Sequence, residues 1–354
     1  IFRREDASLV RVLIVDDSAF MRKVITDLLK KMNGVEPADI ARNGKAAVDY
    51  LAAHDDIDLV LMDIEMPIMN GIEALKQIKQ KYSTPVIMLS ALSNKEITIE
   101  ALELGATDFV TKPVNLTAIE SDWTRDLERK IKGSQMKKNE RLHPTIERDK
   151  KLRQEVALKE KKTDVELNRG VHALVIGSST GGPRSLLTVA RALPRRSKVP
   201  IFIVQHMPKG FTKSFAERLD AECGPHVVEA QDGMMVEPNT VYLAPGDYHM
   251  TTDGIKIYLN QEPKLHGTRP AVDYLFKSAA KAYHKHLVAV ILTGMGHDGA
   301  DGMVEIAKNG GYNFAQNKET CVVFGMPRAA IEKDVVNEVL GLDEIATKVN
   351  RIVR

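Results

Sequence analysis

The sequence predicts an α/β protein of two doubly wound parallel-sheet domains joined by a charged linker. Three observations carry this. Over residues 9–124 short apolar runs alternate with amphipathic helical stretches, the signature of repeated βα units. Over 125–170 that texture is lost: Lys137-Lys138, Lys150-Lys151 and Lys159-Glu160-Lys161-Lys162 crowd together and apolar residues thin out. Such a stretch buries too little surface to offset its ordering entropy and reads as a linker. From 171 to 350 the alternation resumes.

In the first domain, Val12 to Val15, Leu59 to Met62, Val86 to Leu89 and Phe109 to Val110 are continuous apolar runs, as parallel strands covered on both faces require. Phe20 to Lys31 and Gly71 to Lys81 read as the intervening helices. In the second domain, strands are expected at Ala173 to Ile176, Ile201 to Val204, Val241 to Leu243, Ile255 to Leu259 and Leu287 to Leu292. Helices are expected at Pro183 to Leu193, Phe211 to Ala221, Val272 to Tyr283 and Gly302 to Lys308.

Composition narrows the function classes. A length of 354 residues suits two domains, and a net charge of +2 supplies no field for nucleic acid or an anionic membrane. The linker's interleaved acids, with no aromatics beyond Trp123 at its edge, argue against a nucleic-acid tail. No apolar run reaches the length of a membrane-spanning helix, and Ile1-Phe2-Arg3-Arg4-Glu5-Asp6 lacks a signal-peptide core, so no membrane insertion is expected. Cys223 and Cys321 form no disulfide framework, which suits the reducing cytoplasm.

Four strand ends of the first domain carry polar residues: Asp16 and Asp17, Asp63, Ser90, and Lys112 before Pro113. Parallel sheets bind ligands at this edge. Three carboxylates gathered there would repel one another unless a hard divalent cation sat among them, and magnesium suits an all-oxygen set. Asp63 would then be a nucleophile toward a phosphoryl group, Lys112 a point charge for its oxygens and Ser90 a hydrogen-bond donor. Val15-Asp16-Asp17-Ser18, Asp63-Ile64-Glu65-Met66-Pro67 with Asn70-Gly71, Ser90-Ala91 and Lys112-Pro113 resemble the response-regulator receiver domain over residues 9–124. The resemblance implies a flavodoxin-like fold and phosphorylation of Asp63 by a histidine kinase. It also implies magnesium held by Asp17, Asp63 and the Glu65 carbonyl beside Asp16. Phe109 fills the position of the aromatic switch residue in that family, and a plain core role is equally open to it.

In the second domain Ser179 stands in Gly177-Ser178-Ser179-Thr180-Gly181-Gly182, between an apolar run and a helical pattern. A strand, a glycine-flanked serine and a helix make a tight turn that lifts one hydroxyl off the sheet edge and aims helix-start amides at it. A helix cap or phosphate cradle is the competing reading, so partners must decide. His206 follows the run Ile201-Phe202-Ile203-Val204-Gln205, and Asp298 lies in the glycine-rich loop after Val288 to Leu292. Nucleophile, base and orienting acid at three strand ends of one edge are what a triad requires. The competing role for Asp298 is a helix N-cap for Gly302 onward, a role equally open to Asp301, and His297 is a rival base poorly placed to bond its neighbour Asp298. His284 and His286 lack a third ligand for a metal, and no elbow surrounds Cys321.

The order Ser, His, Asp departs from the Ser, acid, His order of α/β-hydrolases, so a lipase-type fold is excluded. Residues 171–350 instead resemble the catalytic domain of the chemotaxis protein-glutamate methylesterases. The carrying segments are Ile176 to Gly182, Gln205-His206-Met207-Pro208, Leu243-Ala244-Pro245-Gly246, Arg269-Pro270-Ala271-Val272-Asp273 and Thr293 to Gly299. That resemblance implies a Rossmann-like three-layer fold with Ser179, His206 and Asp298 as nucleophile, base and acid, and the Met295 amide in the oxyanion hole. Thr180 is taken as a second donor. It further implies a helical chemoreceptor as substrate, removal of γ-methyl esters from its glutamates, deamidation of glutamines as a second activity, and release of a blocked site on Asp63 phosphorylation. Arg269 and Asp273 carry no assigned chemistry and are read as structural ion-pairing residues.

Overall fold

The computed structural model describes residues 9–113, 122–135 and 170–354. The chain divides into two compact units, Ile1–Lys138 and Asn139–Arg354. Among the described residues no helix is long and apolar enough to cross a membrane.

In the first unit the strands are β1 (Val10–Val15), β2 (Val35–Ala41), β3 (Leu59–Asp63), β4 (Val86–Ser90) and β5 (Asp108–Thr111). They form one sheet in the order β2-β1-β3-β4-β5, with every pair parallel. Helices α1 (Ala19–Leu29), α2 (Gly44–Ala53), α3 (Gly71–Lys81) and α4 (Lys95–Glu103) connect them. Ser18 and Asn70 cap α1 and α3 with their side chains, and Glu73 completes a capping box at Asn70. β2 was not expected. It is an edge strand whose Val-Glu-Pro-Ala-Asp-Ile-Ala sequence breaks the apolar run, and Pro37 is tolerated only because the edge leaves one side unpaired.

The expected linker boundary is corrected by α5 (Asp122–Ser134), which runs through residue 125. Trp123, Leu127 and Ile131, spaced four apart on one face, enter the core of the first sheet, and the Trp123 indole donates to the Thr111 carbonyl at 2.6 Å. Among the charges that resembled a solvated linker, Arg125, Arg129 and Lys132 lie on this helix's other face. Lys130, seven residues after Trp123 and so on the same face, is buried against Asp108 and Phe109 of β5. The rest of the expected linker, residues 136–169, lies outside the described residues.

The turn after β3 permits no side chain at Gly71. Its amide donates to the Ile64 carbonyl at 2.9 Å, and a Cβ there would meet the Asp63 carbonyl oxygen at 2.0 Å. Gly71→Ala is expected to destabilise this unit by about 1–3 kcal/mol through overpacking against backbone, seen as a lower denaturant midpoint.

The second unit holds β6 (Ala173–Ser178), β7 (Ile201–Gln205), β8 (His226–Glu229), β9 (Thr240–Leu243), β12 (Leu287–Ile291), β13 (Tyr312–Gln316) and β14 (Glu338–Leu340). These make a seven-stranded parallel sheet in the order β14-β13-β12-β6-β7-β9-β8. Helices α6 (Gly182–Ala192), α7 (Phe211–Asp220), α8 (Val272–Tyr283), α9 (Ala300–Lys308), α10 (Met326–Glu332) and α11 (Leu342–Val353) accompany it. The strand expected over Ile255 to Leu259 is present as β11 (Ile257–Asn260), but it pairs outside the main sheet, in an antiparallel hairpin with β10 (His249–Thr252). Strand order turns at β6, which has β7 on one side and β12 on the other. That reversal opens a crevice at the carboxyl ends, the usual ligand position in such sheets.

Candidate active site and phosphoryl site

Ser179 follows β6 by one residue and His206 follows β7 by one residue. Their predecessors Ser178 and Gln205 are partners in the parallel ladder, and the His206 amide donates to the Ser178 carbonyl at 3.1 Å. Gln205 ties the two turns together. Its Oε1 accepts from the Ser178 hydroxyl at 2.7 Å, and its Nε2 donates to the carbonyls of Ser179 and His206, each at 3.0 Å. Gly182 is required here because a Cβ would lie 2.1 Å from Gln205 Oε1. Sequence reasoning missed Gln205; its signal was a polar residue closing the run Ile201-Phe202-Ile203-Val204.

From the other flank of β6, the loop after β12 packs onto the serine. The Ser179 amide donates to the Thr293 carbonyl at 3.0 Å, and a Cβ on Gly294 would sit 2.9 Å from Ser179 Cβ. The half-buried Met295 lies in this turn, between Gly294 and Gly296. Thr180 is buried, and its carbonyl accepts from the Thr293 hydroxyl at 3.0 Å.

Asp298, 2% exposed, meets His206: Asp298 Oδ2 lies 2.7 Å from Nε2. The same oxygen accepts the Val272 amide at 2.7 Å, and Oδ1 accepts the Asp273 amide at 3.0 Å. Burial raises the proton affinity of this carboxyl, but the bonds from His206 and from the α8 amides outweigh it and hold the acid below the usual carboxylate range. His206 Nδ1 is buried without a hydrogen-bond partner. The Ser179 hydroxyl does not bond it among the described residues, which is common before substrate tightens such a site. Thr268 Oγ1 approaches His206 Nε2 at 3.4 Å, a second contact that sequence reasoning missed.

The rivals are placed elsewhere. His297 is exposed with its ring edge-on to His266, Cys321 is fully buried, and Asp301 pairs with Lys333. The rings of His284 and His286 bond Asn309 and the Gly170 carbonyl, respectively. Arg269 makes the ion pair expected of it, with Asp247 at 2.7 Å, whereas Asp273 chiefly accepts main-chain amides. His266, Asp273 and Asp298 present ligand atoms within 4.8 Å of one another, yet three of their four carboxylate oxygens already accept hydrogen bonds.

In the first unit Asp16, Asp17 and Asp63 bring carboxylate oxygens within 4.8 Å of one another. Lys112 Nζ bridges Asp16 at 2.9 Å and Asp63 at 2.6 Å. Burial pushes the Asp63 carboxyl up to about 6 against the pull of Lys112. Burial likewise opposes the Lys112 charge, but its bonds to Asp63 and Asp16 prevail and raise it. The all-oxygen donors and the excess of acid over base fit a hard divalent cation. Glu65 is exposed, and it lines one open cleft with Asp17. The Ser90 hydroxyl is turned to Thr98, 2.5 Å away, and to the Ala91 carbonyl. Phe109 is buried, with Lys130 Nζ 5.1 Å from its ring centre.

A parallel-sheet unit with an acidic pocket and strand-end lysine, and a second with a strand-end serine beside a bonded His–Asp pair, define a class: a two-domain regulator carrying a hydrolase-type site. Comparison with known proteins narrows it. Residues 174–349 match the CheB methylesterase family and residues 12–122 the response regulator receiver domain. A protein-glutamate methylesterase/protein-glutamine glutaminase of Pyrococcus abyssi is 44% identical, over 97% of this chain and 94% of that protein. One of the same name from Clostridium acetobutylicum is 40% identical over 98% of each. The crystal structure of the Thermotoga maritima CheB methylesterase catalytic domain shares 46% identity, covers 52% of this chain and all of that one, and superposes with a TM-score of 0.50. The chain belongs to the CheB methylesterase family.

Proposed function

We propose that this protein is a phosphorylation-activated protein-glutamate methylesterase that also deamidates protein glutamine, with Ser179, His206 and Asp298 as its triad. The observation that carries the site is the buried, partnerless Nδ1 of His206. Asp298 fixes a proton on Nε2, which leaves the lone pair of Nδ1 on the ring edge remote from the acid. Ser179 attacks the carbonyl carbon of a glutamyl γ-methyl ester as its hydroxyl proton passes to Nδ1. The tetrahedral oxyanion is held by the Met295 and Thr180 amides, a contribution of about 3–4 kcal/mol per donor in comparable sites. The same proton then passes to the departing methoxide, and methanol leaves. Water attacks the acyl enzyme, giving one proton to Nδ1 that returns to Ser179. With a glutamine amide the leaving group is ammonia and the later steps are identical.

The substrate is a chemoreceptor of the chemotaxis pathway and the activity serves adaptation; the phosphodonor is that pathway's histidine kinase, and the work is done in the cytoplasm. Asp16, Asp17, Asp63 and the Glu65 carbonyl would hold magnesium, which supplies positive charge to an incoming phosphoryl group. Asp63 receives that group and Lys112 pairs with its oxygens; Ser90 and Phe109 shift as the switch. Ser90 must leave Thr98 to do so. A phosphoryl mimic with magnesium is expected to raise methanol release from methylated receptor in the intact chain, and Asp63→Asn to lose the stimulation. Equal stimulation of both chains removes Asp63 from the scheme.

A further inference from the structure

Asp273 takes no part in the steps above, yet it is tied to the catalytic acid from both sides. It lies in the first turn of α8 and is 1% exposed. Its Oδ1 accepts the Gly299 amide at 3.1 Å and the Gly302 amide at 2.6 Å, at the start of α9. In return Asp298, just ahead of α9, accepts the Val272 and Asp273 amides at the start of α8. Neither helix has a side-chain cap from its own N-cap residue, Ala271 or Gly299. Each acid therefore caps the other's helix, satisfying amides that would otherwise be orphaned.

The exchange bears on geometry because Gly299 directly follows Asp298. A bond to the Gly299 amide fixes the peptide plane from which the Asp298 side chain departs. The remaining oxygen, Asp273 Oδ2, faces His266 Nε2 at 3.7 Å and Lys277 Nζ at 4.0 Å, and the Lys277 ammonium partly offsets the charge beside Asp298. We propose that Asp273 is a positioning residue for the hydrolytic reaction: by holding the Gly299 and Gly302 amides it aims Asp298 at His206 Nε2. The inference rests on the triad reading above, and the two fail differently. An active Ser179→Ala removes the triad, whereas unaltered Asp273 variants remove only the positioning role.

The test is kcat and KM of the full chain on methylated receptor, with thermal unfolding in parallel. Asp273→Asn keeps a carbonyl oxygen for both amides and is expected to retain near wild-type kcat. Asp273→Ala is expected to lower kcat by about 10–100-fold at unchanged KM, the scale of a misplacement near 1 Å. Asp273→Glu keeps the charge but moves the oxygens by one methylene, and its kcat is expected to fall as well. If the alanine variant does not fold, the asparagine and glutamate variants decide. A glutamate variant at wild-type kcat, an asparagine variant that fails, or losses confined to KM or unfolding temperature would overturn the proposal.

Discussion

Ser179→Ala is expected to lower kcat for ester hydrolysis by about 10⁴–10⁶-fold while leaving the fold intact. The two halves of this expectation come from different atoms. The backbone of Ser179 is structural: its amide bonds the Thr293 carbonyl and its carbonyl accepts from Gln205, and alanine keeps both. The hydroxyl bonds nothing among the described residues, so removing it orphans no partner and the unfolding midpoint should hardly move. What is lost is the covalent step. The residual rate would come from oxyanion donors and substrate binding alone. Methanol release measured under single-turnover conditions, with a serine-reactive phosphonate as a second readout, checks it. A variant that hydrolyses ester within tenfold of wild type, or still takes up the phosphonate at this position, would place the nucleophile elsewhere.

The parts legible in the sequence are those where burial is continuous. Ile201-Phe202-Ile203-Val204 and Leu287-Val288-Ala289-Val290-Ile291 are covered on both faces, and nothing in their composition disguises it. β13 was illegible for the opposite reason: Asn313 and Gln316 interrupt it. Both are fully buried, and their hydrogen bonds to Met303, Val335 and Thr293 appear only in three dimensions. The same limit applied at the site. Serine, histidine and aspartate at strand ends can be picked out by position, but Gln205 and Asp273 act by bonding main-chain groups from elsewhere in the chain. In α5, charge density hid an amphipathic face that only packing against the sheet reveals. Ser90 closes β4, a strand end the sequence picks out, yet its hydroxyl is held by Thr98, a partner on the following helix that no spacing rule identifies.

Asp298→Asn is expected to lower kcat by about 10²–10⁴-fold with little change in KM, and the surrounding bonds indicate how. An asparagine can face the site in two ways. With its carbonyl oxygen in the place of Oδ2, it keeps the Val272 amide and the proton on His206 Nε2, and sets its NH₂ against the Asp273 amide. Turned over, it keeps only the Asp273 bond, opposes the Val272 amide and forces His206 to accept at Nε2, which moves the ring proton to Nδ1. The first arrangement loses one hydrogen bond and the second loses more, so the first should prevail. The ring then keeps the tautomer that can take the serine proton, and the measured loss reports chiefly the missing negative charge beside the imidazolium. Asp298→Ala is the less informative variant, since it also strips two buried amides of their acceptor, at about 1–3 kcal/mol each. Rates of methanol release at saturating receptor, with nitrogen NMR of the His206 ring, separate these outcomes. Retention of wild-type kcat in Asp298→Asn would mean that the carboxylate serves only to cap α8, and that His206 draws its orientation from Gln205 and Thr268.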